Sequence, residues 1–305
     1  MGHRTDLLSE LLRDLEVGVG TSDMALIVFD SLRHAVHALD VEDNEEFYQQ
    51  LTSLVKSIHK VEPKYAILNY YASELLTDFE EAHNNGAVDF RHWAEKRVAR
   101  IHEEMQEKTD KILEYSDKIN FQGKTILLHD HSHTVHRVLQ YQKKQKKKFR
   151  VIVAEQEHDK TQENIEVLHA AKIPFQVVPD YMLSHIHANV DMVFYGGLTL
   201  KDSMHFVMDP GSCAVISQFN TMKIPVYIFM KTTKFSLWKS KPRGEIYFKK
   251  NRRKHASKPI AYDRLKYSHD RVSVDLLHKI VTNKGIFTPP EVKKAFDTLV
   301  KKIKR

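Results

Sequence analysis

Cysteine is nearly absent. Cys213 stands alone among 305 residues, which excludes an internal disulfide and any cysteine-built metal cage and agrees with a reducing compartment. Long apolar runs are missing too: Ile224 to Phe229 (IPVYIF) and Thr125 to His129 (TILLH) fall far short of the roughly 20 residues that cross a bilayer. The opening MGHRTDLLSELLRDLE interrupts its leucines with charges and offers neither the apolar core nor the cleavage site of a signal peptide. A cytoplasmic location with no membrane partner is the expectation. Proline is sparse in the first part of the chain, where Pro63 sits in a VEPK break between two helical patterns, the place where its missing N–H does least harm.

Charge is present but unevenly spread. Residues 1–118 carry 13 Lys and Arg against 24 Asp and Glu, a net of −11, whereas residues 119–305 carry 34 against 16, a net of +18. The two parts should attract each other or the opposite-sign surface of another copy, because charge sign speaks to association rather than fold.

The first 118 residues read as all-helical. Leu7, Leu8, Leu11, Leu12 and Leu15 recur at helical spacing, Gly18 and Gly20 are expected to end that helix, and Thr21 to Asp23 offer a cap for the next. Further helical patterns run through Phe47 to His59, Tyr65 to His83 and Phe90 to Tyr115. From Phe121 the period changes. Strands are expected at Thr125 to His129, Arg150 to Ala154, Phe175 to Val178, Met192 to Tyr195 and Pro225 to Met230. Helices should lie between them at Thr134 to Lys147, Thr161 to Ala171, Met182 to His187 and Ser212 to Met222. Such alternation is the sequence form of right-handed βαβ crossovers. The fold class is therefore α/β: an N-terminal helical region over 1–118, then a doubly wound, mostly parallel Rossmann-like sheet over 119–305. Within the latter, 239–258 should form a basic excursion with a short strand near Glu245 to Phe248, and a helix pair, Asp275 to Thr282 and Glu291 to Lys304, should close the chain. No internal repeat of the solenoid kind is visible.

Sheets of this type bind ligands beyond the carboxyl ends of their strands. There the segment His129-Asp130-His131-Ser132-His133-Thr134 leaves a strand and enters a helix, so Ser132 or Thr134 can cap the helix while its first N–H groups offer an anion site. Asp130, His131 and His133 should converge with Glu155 after the second strand and Asp180 after the third. Gly196 and Gly197 allow close backbone approach after the fourth, although a bare Gly-Gly is no dinucleotide fingerprint. Gly211 and Ser212, in MDPGSCAVISQF, form a turn at a helix start and so a candidate phosphate nest, with Asp209 placing negative charge beside it. The histidines of HDHSHTVH could converge on zinc, but His129 should point into the sheet, and no distant second motif accompanies them. Neither a metal nor a cofactor is expected. The basic runs Lys143 to Arg150 and Lys249 to Lys254 could neutralise phosphates, which leaves an RNA partner open.

The order and spacing of KTILLHDHSHTVHRVL, VIVAEQEHD, VVPDYMLSHIHANVDMVFYGG, DPGS, Lys234-Phe235 and TNKGIFTPPEV resemble the superfamily that joins the alpha, beta and delta subunits of translation initiation factor 2B to methylthioribose-phosphate and ribose-bisphosphate isomerases. The isomerase branch works with a cysteine after the first strand and an aspartate after the fourth. Here those positions hold Asp130 and Leu198, and leucine cannot carry a proton. The resemblance thus implies a non-catalytic regulatory or scaffold protein that pairs with itself or related subunits and takes a phosphorylated small ligand at the strand ends. The rival reading is an enzyme using Asp130 with His131 or His133 as an acid/base pair on another sugar phosphate or nucleotide.

Overall fold

The computed structural model describes residues 2–62, 64–86, 89–156, 158–239, 248–254 and 261–303. Pro63, the Glu245 to Tyr247 part of the expected short strand and the rest of 240–247 and 255–260 lie outside the described residues.

Four helices open the chain: α1 (Gly2–Ala38), α2 (Asn44–His59), α3 (Ala66–Asn84) and α4 (Phe90–Ser116). As expected, Gly20 ends the first helical stretch, so that α1 is two helices joined across a kink. The Gly20 φ of 75° and ψ of 163° break the helical backbone, which resumes at once, a conformation glycine adopts without the Cβ penalty. Asp43 and Asp89 cap α2 and α4 by accepting from the backbone N–H groups of Glu46 and His92 at 2.8 and 2.9 Å. Phe29, Phe47, Tyr71, Phe79 and Phe90 bury their rings where the four helices meet, and each large side chain taken out of water contributes roughly 1.5–3 kcal/mol.

The sheet that follows has seven strands in the order β12-β11-β7-β4-β1-β2-β3. These are β1 (Lys124–Leu128), β2 (Phe149–Glu155), β3 (Phe175–Pro179), β4 (Met192–Gly196), β7 (Val226–Phe229), β11 (Lys279–Thr282) and β12 (Gly285–Phe287). All neighbours pair parallel except β12, which runs antiparallel to β11. Among the described residues two smaller units hold the other strands: an antiparallel sheet of β5 (Thr199–Leu200), β6 (His205–Met208) and β10 (Asp270–Ser273), and a hairpin of β8 (Phe248–Lys254) and β9 (Ala261–Tyr267). The helices of this part are α5 (His133–Lys144), α6 (His158–Ala170), α7 (Leu183–Ile186), α8 (Ser212–Thr221) and α9 (Pro289–Ile303).

Alternation sorts the strand side chains onto two faces. Ile126, Leu128, Val151 and Val153 pack with Ile112 of α4 and Val135 and Leu139 of α5. Leu127, Ile152 and Val193 pack on the other side with Ile216 and Phe219 of α8 and Val292 and Phe296 of α9. Central β1 and β4 are buried on both faces, whereas edge strand β3 exposes Gln176 and Val177, as a doubly covered sheet requires.

The α/β class and the helical opening are as expected, with three corrections. The segment Asp275 to Thr282 is not a helix: a 3-10 turn at Val274–Leu276 leads into β11, because the β-branched run Ile280, Val281 and Thr282 extends the sheet beside β7. The strand of the basic excursion runs further along the chain than expected, Phe248–Lys254, and pairs along its length with Ala261–Tyr267. The three-stranded sheet also went unforeseen, its strands being too short to show a period of two. No described helix is long and apolar enough to cross a membrane.

Candidate functional site

Parallel pairing brings the carboxyl ends of β1, β2, β3 and β4 to one edge of the sheet. Asp130 stands just beyond β1 and is almost wholly buried. Its Oδ2 accepts from the Gly196 N–H at 3.0 Å, which ties the end of β1 to the end of β4. Its Oδ1 is buried without a hydrogen-bond partner among the described residues. Burial, reinforced by the Asp209 carboxylate, pushes the Asp130 carboxyl up to about 8, so near neutral pH it is largely an acid able to donate a proton. Ser132 is the N-cap of α5, accepting from the Val135 N–H at 3.4 Å. The approach of Gly196 to this turn is close enough that a Cβ there would lie 2.2 Å from the Ser132 Oγ. Only glycine fits.

Three imidazoles gather around the start of α5. His131 and His133 have ring centroids 4.8 Å apart, and His136 is 5.0 Å from His131. Each has its own partner: the His131 Nε2 pairs with the Glu163 carboxylate of α6, the His133 Nδ1 lies 2.9 Å from the Asp23 Oδ2 of α1, and the His136 Nε2 donates to the Asn164 Oδ1 at 2.6 Å. The Asn164 amide in turn donates to the Asp130 carbonyl at 3.2 Å. Burial lowers His131 and His136 to about 4. The hydrogen bond to Asp23 instead raises His133, and the same bond holds Asp23 below the usual carboxylate range. Donor atoms of His131, His133 and Glu163 all lie within 4.8 Å of one another, which makes them the described residues able to gather round a metal ion. Beside them a cleft between α1, α4 and α5 is lined by Asp23, His102, Gln106, His133, Arg137 and Lys231.

The turn before α8 differs from the expected nest. Gly211 takes the left-handed conformation with φ 93°, and the first N–H groups of α8 point at a carboxylate, but that carboxylate belongs to the protein. The Asp270 Oδ2, at the start of β10, accepts from the N–H groups of Gly211 at 3.0 Å and Cys213 at 2.9 Å. Negative charge at a helix start is favoured by the helix dipole, and here it comes from 57 residues away in sequence. Ser212 does not cap α8, its hydroxyl being buried without a hydrogen-bond partner among the described residues. Asp209 turns away from the helix to the Lys160 Nζ at 2.5 Å. The Lys234 Nζ donates to the Gly197 carbonyl at 3.3 Å, and burial lowers this ammonium to about 8. Into this region α1 brings Glu16, whose carboxyl is raised to about 7 by burial and by Asp209 while Lys160 and Lys234 oppose the shift.

Of the residues singled out in the sequence, Asp130 and Ser132 both lie against Gly196, and His131 and His133 stand beside them. Gly211 and Ser212 lie across the edge near His129, the Gly211 Cα facing the His129 ring closely enough that a Cβ would meet its Cε1 at 3.4 Å. Histidine 129 is buried as expected, with the Gln156 amide 3.1 Å from its ring nitrogens, and burial lowers it to about 4. Asp180 is exposed but exerts a charge effect on His129. Glu155 is exposed at the end of β2 and is not drawn into these contacts. Sequence reading missed Glu16, Asp23, Lys160, Glu163, Asn164 and Asp270. Lys160, Glu163 and Asn164 open the helix after β2, and their position after a strand was a usable signal. Glu16, Asp23 and Asp270 carry no local signal, since only the tertiary fold brings them in.

A model of the Initiation factor 2 subunit family matches residues 18–289 of this chain. Among curated proteins, the translation initiation factor eIF2B subunit alpha of Dictyostelium discoideum is 29% identical over 151 residues, 49% of this chain and 46% of that protein, so the match spans less than half the relative's length. Among solved structures, the Pyrococcus horikoshii translation initiation factor eIF-2B superposes with a TM-score of 0.74 at 19% identity, covering 95% of this chain and 98% of the other. A chain of the tetrameric eIF2B-beta2-delta2 complex from C. thermophilum gives 0.71 at 18% identity, with 96% and 93% covered. At such identities the structural likeness shows a shared fold.

Proposed function

As this chain belongs to the Initiation factor 2 subunit family, we propose that it works as a non-catalytic regulatory or scaffold subunit of the translation initiation factor 2B kind, pairing with a second copy or a related subunit. The observation that carries this reading is how the strand-end cleft is furnished. A sugar-phosphate isomerase of the resembled type needs a thiol and a carboxylate to pass protons between neighbouring carbons. In their places stand Asp130, a buried acid that keeps a proton near neutral pH, and Leu198, which cannot exchange one with it, so the two-group relay is broken. The helix start that could hold a phosphate is taken by Asp270.

A phosphorylated small molecule would find two cations in the cleft, Lys160 and Lys234. Each faces protein groups, Lys160 the Asp209 carboxylate and Lys234 the Gly197 carbonyl. Such a ligand acts here as an effector that competes with Glu16 and Asp209 for these ammonium groups. Pairing has support from the chain's own surface: Val177 on edge strand β3 and Tyr181 and Met182 in the following turn expose apolar area, a feature that association covers. One of the solved neighbours is itself a tetrameric complex of related subunits.

Native mass spectrometry of the purified full chain, alone and mixed with a related subunit, tests both parts of the reading. The expected spectrum shows dimers or stoichiometric mixed assemblies, and no turnover of ribose-1,5-bisphosphate or methylthioribose-1-phosphate in a parallel assay. A chain that stays monomeric in both samples, or isomerises either sugar at an enzyme-like rate, refutes it.

A further inference from the structure

The sequence holds half of a metal motif without its second half, and the fold supplies the rest. His131 lies in the turn between β1 and α5, His133 in the first turn of α5 and Glu163 on α6, and their donor atoms lie within 4.8 Å of one another. We propose that His131, His133 and Glu163 form a binding site for a divalent cation of the zinc class, with Asp23 holding the His133 ring from the far side.

Four features carry the assignment. First, the donor set of two imidazoles and one carboxylate suits a borderline ion and leaves a fourth position for water. Second, ligands about 2.1 Å from a tetrahedral zinc stand roughly 3.4 Å apart, a spacing that small side-chain rotations reach from donor atoms all within 4.8 Å of one another, with Glu163 43% exposed and free to turn. The Glu163 carboxylate already approaches the His131 Nε2 directly. Third, the His133 Nδ1 is engaged by Asp23 at 2.9 Å, which leaves Nε2 as the ligand atom. A carboxylate behind a ligating histidine fixes its tautomer and raises its basicity. Fourth, the cleft lined by Asp23, His133 and Arg137 gives the ion a way in. Behind the cluster His136 is held by Asn164 at 2.6 Å, so the packing around His131 is fixed before an ion arrives.

Asp23 belongs to α1, three residues past the kink at Gly20. A bound ion would therefore strengthen the link between the helical opening and α5, and occupancy would bear on how α1 lies over the strand ends. The site does not depend on the subunit reading or on any ligand of the cleft.

Metal-free full-length protein titrated with zinc by isothermal titration calorimetry tests the assignment, with cobalt absorption as a second readout. The wild type should bind one equivalent at this site, and cobalt should give the intense visible bands of a tetrahedral complex. Glu163→Gln and His133→Gln, each checked for folding by circular dichroism, should weaken that equivalent at least tenfold. Asp23→Asn should keep the stoichiometry and weaken affinity about 10- to 100-fold, as loss of a carboxylate behind a ligating histidine does. Two results overturn the proposal: no zinc uptake by the wild type, or uptake that folded Glu163→Gln and His133→Gln proteins retain at unchanged affinity, which would place the ion on other histidines.

Discussion

Glu16 reaches from α1 into a region shared with Asp209, Lys160 and Lys234, and its carboxyl is raised from 4.5 to about 7. The folded chain therefore binds a proton at Glu16 between these limits, where the unfolded chain has released it. Stability rises with pH only where the unfolded state binds more protons. Here the opposite holds, so the Glu16 contribution is fully present below pH 4.5 and is lost as pH rises through about 7. With about 1.4 kcal/mol for each tenfold difference in proton affinity, the loss amounts to about 3 kcal/mol. Glu16→Gln keeps the shape and hydrogen-bonding capacity of the protonated side chain but cannot ionise. The substitution should be close to neutral at pH 4.5 and should stabilise the protein by about 3 kcal/mol at pH 8. Urea unfolding at both pH values, followed through Trp93 and Trp238, measures the two differences. A variant that changes stability equally at pH 4.5 and pH 8 would show that the Glu16 carboxyl is not buried against the cleft, and with it would fall the picture of α1 lying over the strand ends.

Two further substitutions probe the backbone of the site. Gly196→Ala puts a methyl group 2.2 Å from the Ser132 Oγ and 2.6 Å from its Cβ, and overpacking of this kind should cost about 1–3 kcal/mol. Ser132→Gly in the same chain removes both atoms, so thermal melts of the double variant should recover part of that loss, and melts that do not would place the clash elsewhere. Asp270→Ala strips the acceptor from the N–H groups of Gly211 and Cys213 and should cost about 2 kcal/mol. It also opens the start of α8 to an outside anion. Sulfate should then stabilise Asp270→Ala more than the wild type in matched melts, and equal sulfate effects on the two proteins would count against an anion nest.

How much of this was legible follows from the range of each signal. The strands at β1, β2, β3, β4 and β7 announce themselves through apolar β-branched runs five or so residues long, bounded by helical periods. Strand β11 did not, because DLLHKIVT satisfies a helical spacing as well. Its choice is made by the open edge of β7, where Ile280 pairs with Ile228, a tertiary preference that overrides local propensity. The break at Gly20 is legible from residue type alone, because glycine takes the positive φ that interrupts a helix without a Cβ penalty.

The site divides in the same way, and the division bears on function. Asp130, Ser132 and Gly196 were readable because a strand-to-helix junction places chemistry at fixed steps from the strand end. The carboxylates that complete the surroundings come from afar: Asp23 and Glu16 from α1, Asp270 from β10. Two of them stand where an anion would be drawn, Asp270 at the start of α8 and Glu16 beside Lys160 and Lys234. Nearby, Asp209 pairs with Lys160 at 2.5 Å. An anionic ligand entering this cleft would have to displace Asp270 from the N–H groups of Gly211 and Cys213 and Asp209 from Lys160, and would meet the Glu16 carboxyl of α1 near the same ammonium groups. The helix that brings Glu16 to these lysines is also the one whose Asp23 pairs with His133, so the surroundings of the lysines and of the histidine cluster share one element.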